Sequence, residues 1–590
     1  MKKRLLLVTA LILLLSFCLQ GCSALADAFK ALENAAPSYA PYERPTYSGS
    51  EPIPYSEYTR PYLPRLEPVP FSQMSYTRPD ADALRSELEN IGAMPEQTSD
   101  TGEVLAAYDA AYDDYIHFYT MSNLVYILYT VDLNNAANEA EYLWCEEQAP
   151  LVEQALEDCH RALAASALRN ELEEEYFGNG FFESYDGEGV YSNPRVVELL
   201  QQEADLQAQY MAMTSDMTVT YEDQEVLIAN ALAEAADIDT YFALIDLYCE
   251  KYNPIASDLF IRLVKTRRAL AQELGYETYA DYAYLETYYR DYTPAQAEQY
   301  LADVRTELVP LFDSYTSYSL PEMDMDQIMQ LLEGTMNTLG HEMQTAYGFM
   351  KDYELYDISS STSKMPGSYE TYLEEYEAPF LYVSPEGTLA DLLTAAHEFG
   401  HFTDGFVNCN MTDSTDVAEV FSQALEYLTL NAADISAAQW QLLHRSKMND
   451  ALMTFLSQAC YYDFECRVFA LPDEELTAEN INALFLQCNR EYGMANEGFE
   501  AYDSMGWFEV QHFFIAPYYM ISYCVSNDLA LQVYAMEQQE TGAGLEKYTD
   551  MLYSAAYATP LAFAGDCGLT SPFAAGRVAE LAEFLKGEIR

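Results

Sequence analysis

Basic residues are scarce: 29 Lys and Arg stand against 95 Asp and Glu, giving a net charge of −66 over 590 residues. A surface this acidic repels phosphate backbones, so a nucleic-acid-reading role is excluded. The charge reads first as a solvated coat that keeps the chain soluble, and second as a bias toward cationic substrates. Histidine is rarer still, with 7 copies, so any two that share a helix face stand out. The 11 cysteines include no C-x-x-C pair. The nine beyond Cys22 (Cys145, Cys159, Cys249, Cys409, Cys460, Cys466, Cys488, Cys524 and Cys567) are irregularly spaced, which argues for buried thiols and against a disulfide framework. Hydrophobic residues make up 50% of the chain, enough for a large core and too many for a natively unfolded protein.

Lys2, Lys3 and Arg4 precede an apolar run from Leu5 to Leu19, the pattern of a secretion signal over residues 1–21. The run ends in Leu19-Gln20-Gly21-Cys22, which resembles the lipobox of bacterial lipoproteins. That resemblance implies Cys22 as the first mature residue and the site of lipidation, which would anchor the chain at the outer face of a bacterial membrane. Free secretion is the alternative. Ten of the 24 prolines then fall between Pro37 and Pro79, and Tyr-Thr-Arg-Pro occurs twice, at 58–61 and 76–79. Such a stretch cannot be helix, and 22–79 reads as an extended tether.

From Asp80 onward the texture is helical, with apolar residues three and four apart over Val104 to Leu133, Glu139 to Leu172, Asn193 to Met213 and Asp237 to Leu274. Thr293-Pro294 opens a further helix with a cap and a first-turn proline. A hairpin is expected over Thr218 to Val226, and short strands at Tyr356 to Ile358 and Pro379 to Val383. The chain divides on this reading into a helical region at 80–345 and a second region at 346–590.

The second region carries the chemistry. His397-Glu398-Phe399-Gly400-His401 lies in an uninterrupted helical stretch, so the two imidazoles share a face and can reach one metal ion. Glu398 is placed to take a proton from a water on that metal. Zinc suits such a site because it accepts four nitrogen or oxygen ligands and leaves one position for water. By contrast His341-Glu342 has no second histidine and cannot form a like site. The third ligand is open among Asp404, Asp413, Asp416, Glu419, Glu426 and His444. Helical spacing places Glu419, Ser422, Gln423 and Glu426 on one face.

The run Glu419-Val-Phe-Ser422-Gln423-Ala-Leu-Glu426 after the His-Glu-x-x-His helix resembles the thimet oligopeptidase and oligoendopeptidase F family of zinc peptidases. Further echoes are Lys364-Met-Pro366-Gly367, Gly387-Thr388-Leu389 with Asp391, Tyr492-Gly493, and Trp507 through His512 to Tyr523, so the likeness covers about 80–590. It implies a mainly α, two-lobed zincin-type fold with a deep central channel and a small β-sheet beside the active-site helix. It implies His397, His401 and Glu419 as zinc ligands, Glu398 as the base, and Glu426 as a supporting residue. His512, Tyr519 and Tyr523 become the donors to the oxyanion. The substrates implied are short unfolded peptides, laid against Pro379 to Val383 as an edge strand. A zinc carboxypeptidase or dipeptidase, and a peptide-binding lipoprotein without turnover, are the alternatives.

Overall fold

The computed structural model describes residues 45–47, 66–185, 193–214, 217–361, 363–495 and 499–589. The secretion segment, Cys22 and the tether before residue 66, apart from 45–47, lie outside the described residues. Residues 66–79 carry no helix or strand beyond one turn at Phe71–Gln73, which is flanked by extended backbone at Pro70 and Met74. Phe71 donates its N–H to the Tyr353 carbonyl and packs its ring 4.4 Å from Phe380, and Arg78 pairs with Glu141. The Pro-rich stretch therefore ends docked on folded structure.

The chain forms two units, a smaller one of residues 66–198 and 348–384 and a larger one of 199–347 and 385–589. This differs from a single linear division at 345/346. Residues 348–384 return to the first helices because their polar groups are claimed there: Asn123 donates to the Tyr372 carbonyl, Thr130 pairs with Tyr369, and Met365 N–H bonds the Thr130 carbonyl.

In the smaller unit α1 (Ala81–Ala93), α2 (Thr101–Val131) and α3 (Ala136–Ala164) are each opened by a side-chain cap, from Asp80, Asp100 and Asn135. Leu84, Leu88 and Ile91 of α1 bury against Val104, Tyr108 and Phe118 of α2 and Val152, Cys159 and Leu163 of α3. Each such Leu or Phe contributes about 1.5–3 kcal/mol when fully buried.

Three strands complete this unit: β1 (Tyr356–Ile358), β2 (Ser368–Leu373) and β3 (Ala378–Val383), in the order β1-β3-β2. β3 runs parallel to β1 and antiparallel to β2, so Pro379 to Val383 is the central strand and not the expected edge. The reason is visible in its composition, an unbroken apolar run that is buried at every position, the signature of a strand covered on both faces. Pro379 is tolerated there because the Leu381 N–H points toward the β1 side, to the Leu355 carbonyl. The imino nitrogen two residues earlier points the same way, beyond the end of β1, and no ladder bond is lost. The two edges of the sheet belong to β1 and β2.

The larger unit holds the expected hairpin, Thr218–Tyr221 with Gln224–Leu227. Its helices include α4 (Pro194–Thr214), which the chain enters from the smaller unit, α5 (Ile238–Glu273) and α6 (Pro294–Glu307). Thr293 and Gln296 form the capping box of α6, with Pro294 in its first turn. The helices that build the site include α7 (Asp391–Asn408), α8 (Thr415–Ala432), α9 (Ala437–Ala470) and α10 (Ile521–Gln539). α8 is joined to α10 by buried hydrogen bonds, Gln423 to Ser526 and Tyr427 to Asn527. The nine cysteines named above are free thiols, eight of them buried.

Candidate active site

The site begins with the stop and start of α7. The Asp391 carboxylate accepts the backbone N–H groups of Glu386, Gly387 and Thr388, which fixes the turn feeding the helix. Gly387 adopts φ 83°, a conformation that favours glycine. From Asp391 to Asn408 only Thr394, His397 and His401 are not buried. Their spacing of three and four places them on one helix face, so α7 is a core helix with a single window.

Gly400 lets α8 approach that helix. A Cβ at Gly400 would lie 2.5 Å from Ser422 Cα and 2.6 Å from the Phe421 carbonyl oxygen, both backbone atoms of α8. The glycine within the His-Glu-x-x-His pentapeptide thus sets the separation between the helix carrying the histidines and the helix carrying Glu419.

At that separation donor atoms of His397, His401 and Glu419 all lie within 4.8 Å of one another. Glu419 Oε2 is 3.5 Å from His397 Nε2 and 3.8 Å from His401 Nε2. Donors about 2.1 Å from a tetrahedral ion are about 3.4 Å apart, so the two separations between Glu419 and the imidazoles lie near those of a zinc-sized cation. The other ring nitrogen of His397, Nδ1, donates to Glu426 Oε1 at 2.9 Å, and Lys447 donates to Glu426 Oε2 at 2.6 Å. With its proton on Nδ1, the His397 Nε2 lone pair faces the Glu419 carboxylate. Two lone pairs in contact repel unless a proton or a cation lies between them. Burial alone would push the His397 pKa down, but the hydrogen bond and charge of Glu426 raise it to about 9. Burial pushes His401 the other way, to about 4.

Glu419 is itself held: Ser422 Oγ lies 3.1 Å from its Oε2, and Tyr519 OH donates to its Oε1 at 2.9 Å. Glu398, next to His397, is only 7% exposed, and no protein donor hydrogen-bonds its carboxylate among the described residues. Burial pushes its pKa to about 7; His397 opposes the rise, and the neighbouring carboxylates of Glu419 and Glu426 add to it. A carboxyl so placed is poised between accepting and releasing a proton.

The segment after α9 brings three further polar groups to this place. His512 and Tyr519 have ring centroids 5.0 Å apart, Tyr519 and Tyr523 are also 5.0 Å apart, and His512 and Tyr523 are 6.1 Å apart. All three are partly exposed while Phe513, Phe514, Tyr518 and Ser522 between them are buried. Tyr519 therefore joins the triad to the His512 and Tyr523 pair.

Other acidic and histidine candidates are engaged elsewhere. Asp404 accepts from Asn408 and Thr412, and Asp413 is exposed. Asp416 receives Arg290, Tyr292 and Ser522 in a buried cluster that ties the start of α8 to the start of α10. His444 pairs with Glu588, and His341 with Glu342. Among the described residues the His397, His401 and Glu419 group is the one set of three such donors. Sequence reasoning gave no role to Gly400 or Lys447, and it reached Asp391 only through the family likeness. Gly400 stood inside the pentapeptide, whereas Lys447, on a separate helix, carried no signal.

The model for the Peptidase M3 N-terminal domain matches residues 71–187, and the model for Peptidase family M3 matches residues 344–574. No curated protein matches the chain. Among solved structures it resembles PZ peptidase A with inhibitor 2, at 20% identity and a TM-score of 0.73, covering 88% of this chain and 99% of that one. It also resembles an oligoendopeptidase F candidate from Bacillus anthracis str. Ames, at 21% identity and a TM-score of 0.70, covering 88% and 98%. An oligoendopeptidase-F from Enterococcus faecium follows at 14% identity and a TM-score of 0.53, covering 86% and 97%. At such identities these likenesses concern the fold. The two family matches, which together span more than half of the 590 residues, establish that the chain belongs to peptidase family M3.

Proposed function

We propose that the chain is a zinc-dependent endopeptidase that cuts short, unfolded peptides. The observation that carries this reading is the convergence of His397, His401 and Glu419 from two helices beside a buried Glu398 that no protein donor engages. Those three residues would hold the ion, which when bound supplies Lewis acidity toward the peptide carbonyl and lowers the pKa of water at the site. Glu398 takes the proton of the attacking water and returns it to the leaving amine. Tyr519, Tyr523 and His512 present donors for the negative charge that develops on the carbonyl oxygen. Glu426, balanced by Lys447, keeps the His397 proton on Nδ1, which would leave its Nε2 free to hold the ion. Oligopeptides as substrates are supported by the oligoendopeptidases among the structural neighbours.

The N-terminal sequence supports lipid anchoring through Cys22 at the extracytoplasmic face of a bacterial membrane. No helix among the described residues is long and apolar enough to cross a membrane.

The test is cleavage of a fluorogenic peptide blocked at both termini, with and without chelator, by wild type and Glu398→Gln. The expected result is chelator-sensitive cleavage by wild type and loss of cleavage in the variant, with folding and zinc content retained. Cleavage of unblocked peptides alone would replace this reading with an exopeptidase, and normal turnover by Glu398→Gln would remove the proposed base.

A further inference from the structure

The turn that delivers His512 and Tyr519 is fastened by buried polar side chains from elsewhere in the larger unit. Arg267 of α5 is fully buried and donates from Nη1 to the Phe513 carbonyl at 3.0 Å and from Nη2 to the Phe514 carbonyl, with Nε on Glu203 at 2.6 Å. Both carbonyls directly follow His512. Tyr288 donates its hydroxyl to the Pro517 carbonyl at 2.9 Å and sets its ring against that of Tyr519, 6.0 Å away. Glu465 of α9, fully buried, accepts the Tyr518 N–H on Oε2 at 3.1 Å.

Tyr518 is the point where this scaffold matters most. It adopts φ 66°, a left-handed conformation that a non-glycine residue keeps only when its surroundings impose it. That reversal turns the Tyr519 side chain toward Glu419, where its hydroxyl is bonded at 2.9 Å. The Tyr518 ring is enclosed by Tyr279, Tyr462 and Phe469, so its direction is set by packing as well. The second carboxyl oxygen of Glu465, Oε1, has no partner among the described residues, although it is fully buried. A carboxyl that is half unsatisfied in the core adds little as a stabilising group, yet it supplies the one acceptor that the strained Tyr518 amide uses.

We propose that Glu465 is a positioning residue for catalysis, holding the backbone at Tyr518 so that Tyr519 reaches the reacting carbonyl, with Tyr288 as its partner in this role. The inference rests on the peptidase reading above. Burial pushes the Glu465 pKa to about 8, so it is mainly neutral at pH 7 and a glutamine reproduces its acceptor.

The experiment compares wild type with Glu465→Gln, Glu465→Met and Tyr288→Phe on a blocked fluorogenic peptide at pH 7, with zinc content and melting temperature recorded for each. Glu465→Met should lose kcat by about tenfold to 100-fold with KM within about threefold, since small misplacements of a catalytic group act on turnover. Glu465→Gln should restore kcat to near wild type, and Tyr288→Phe, which removes only the hydroxyl, should lose a few-fold. In a Tyr519→Phe background Glu465→Met should cost nothing further, because both changes remove the same donor. Equal kcat in wild type and Glu465→Met, full additivity with Tyr519→Phe, or failure of glutamine to rescue would each overturn the proposal. If Glu465→Met does not fold, Tyr288→Phe carries the test, with unchanged kcat as the contrary result. A wild-type chain that cuts no peptide overturns this inference and the peptidase reading together, whereas a wild type that cuts, with Glu465→Met as active, overturns this inference alone.

Discussion

Gly400→Ala should loosen the site while adding only one methyl group. The new Cβ would meet Ser422 Cα at 2.5 Å and the Phe421 carbonyl oxygen at 2.6 Å. Neither is the movable end of a side chain, and comfortable carbon contacts begin near about 3.5 Å, so α7 and α8 must part by about 1 Å. Overpacking of this kind costs about 1–3 kcal/mol. The strain belongs to the closed arrangement in which Glu419 Oε2 is 3.5 Å from His397 Nε2, the arrangement that a zinc ion would require. If relieved by separation of the helices, the same energy appears as a loss of about 5-fold to 150-fold in zinc affinity. Urea unfolding of the zinc-free protein and competitive zinc titration measure the two parts. Gly334→Ala is the control: that helical glycine has no atom within 4 Å of the position its Cβ would take, and the change should stabilise by about 0.5–1 kcal/mol. Wild-type stability together with wild-type zinc affinity in Gly400→Ala would refute the argument that helix separation sets the donor geometry.

The remaining expectations concern single groups. Glu426→Gln keeps the shape but weakens the hold on the His397 proton and leaves Lys447 without its counter-charge, so zinc affinity should fall about 10-fold to 100-fold; equal zinc affinity would deny Glu426 its supporting role. Tyr519→Phe should lower kcat about 100-fold or more with zinc retained, and a loss confined to KM would assign the hydroxyl to substrate binding instead. Glu465 has its folded pKa raised to about 8 by burial, above the ordinary 4.5, so its contribution to stability is complete below about pH 4.5 and is lost as pH rises through about 8. Urea unfolding should therefore find wild type weakened between those limits relative to Glu465→Gln, by an amount on the order of a few kcal/mol. Parallel pH profiles for the two proteins would contradict the buried, neutral carboxyl.

The parts of the fold governed by local pattern were legible in the sequence. The long helices follow three- and four-residue spacing of apolar side chains, and the Thr293-Pro294 start and the hairpin at Thr218–Leu227 follow capping and turn chemistry. The His397 and His401 pairing needed only helix geometry, whereas selecting Glu419 over Asp404 or Asp416 needed the family likeness, because all lie close in sequence and several are buried. What distinguishes them is which partner each meets: Asp416 meets Arg290 from a distant segment, and Asp404 meets its own helix end. Strand order was misread for the same reason. An apolar run at Pro379 to Val383 shows a strand, but its central place follows from β1 and β2 pairing on either side, which no local pattern encodes. Gly400 was in plain view inside the pentapeptide, and its meaning appears only once Ser422 lies against it.

Anomalous diffraction at the zinc edge, on crystals of the zinc-loaded protein, tests the central claim most directly. The account predicts one strong peak about 2.0–2.2 Å from Nε2 of His397, Nε2 of His401 and a carboxylate oxygen of Glu419. A peak that omits Glu419, or no peak between the two imidazoles, would contradict it.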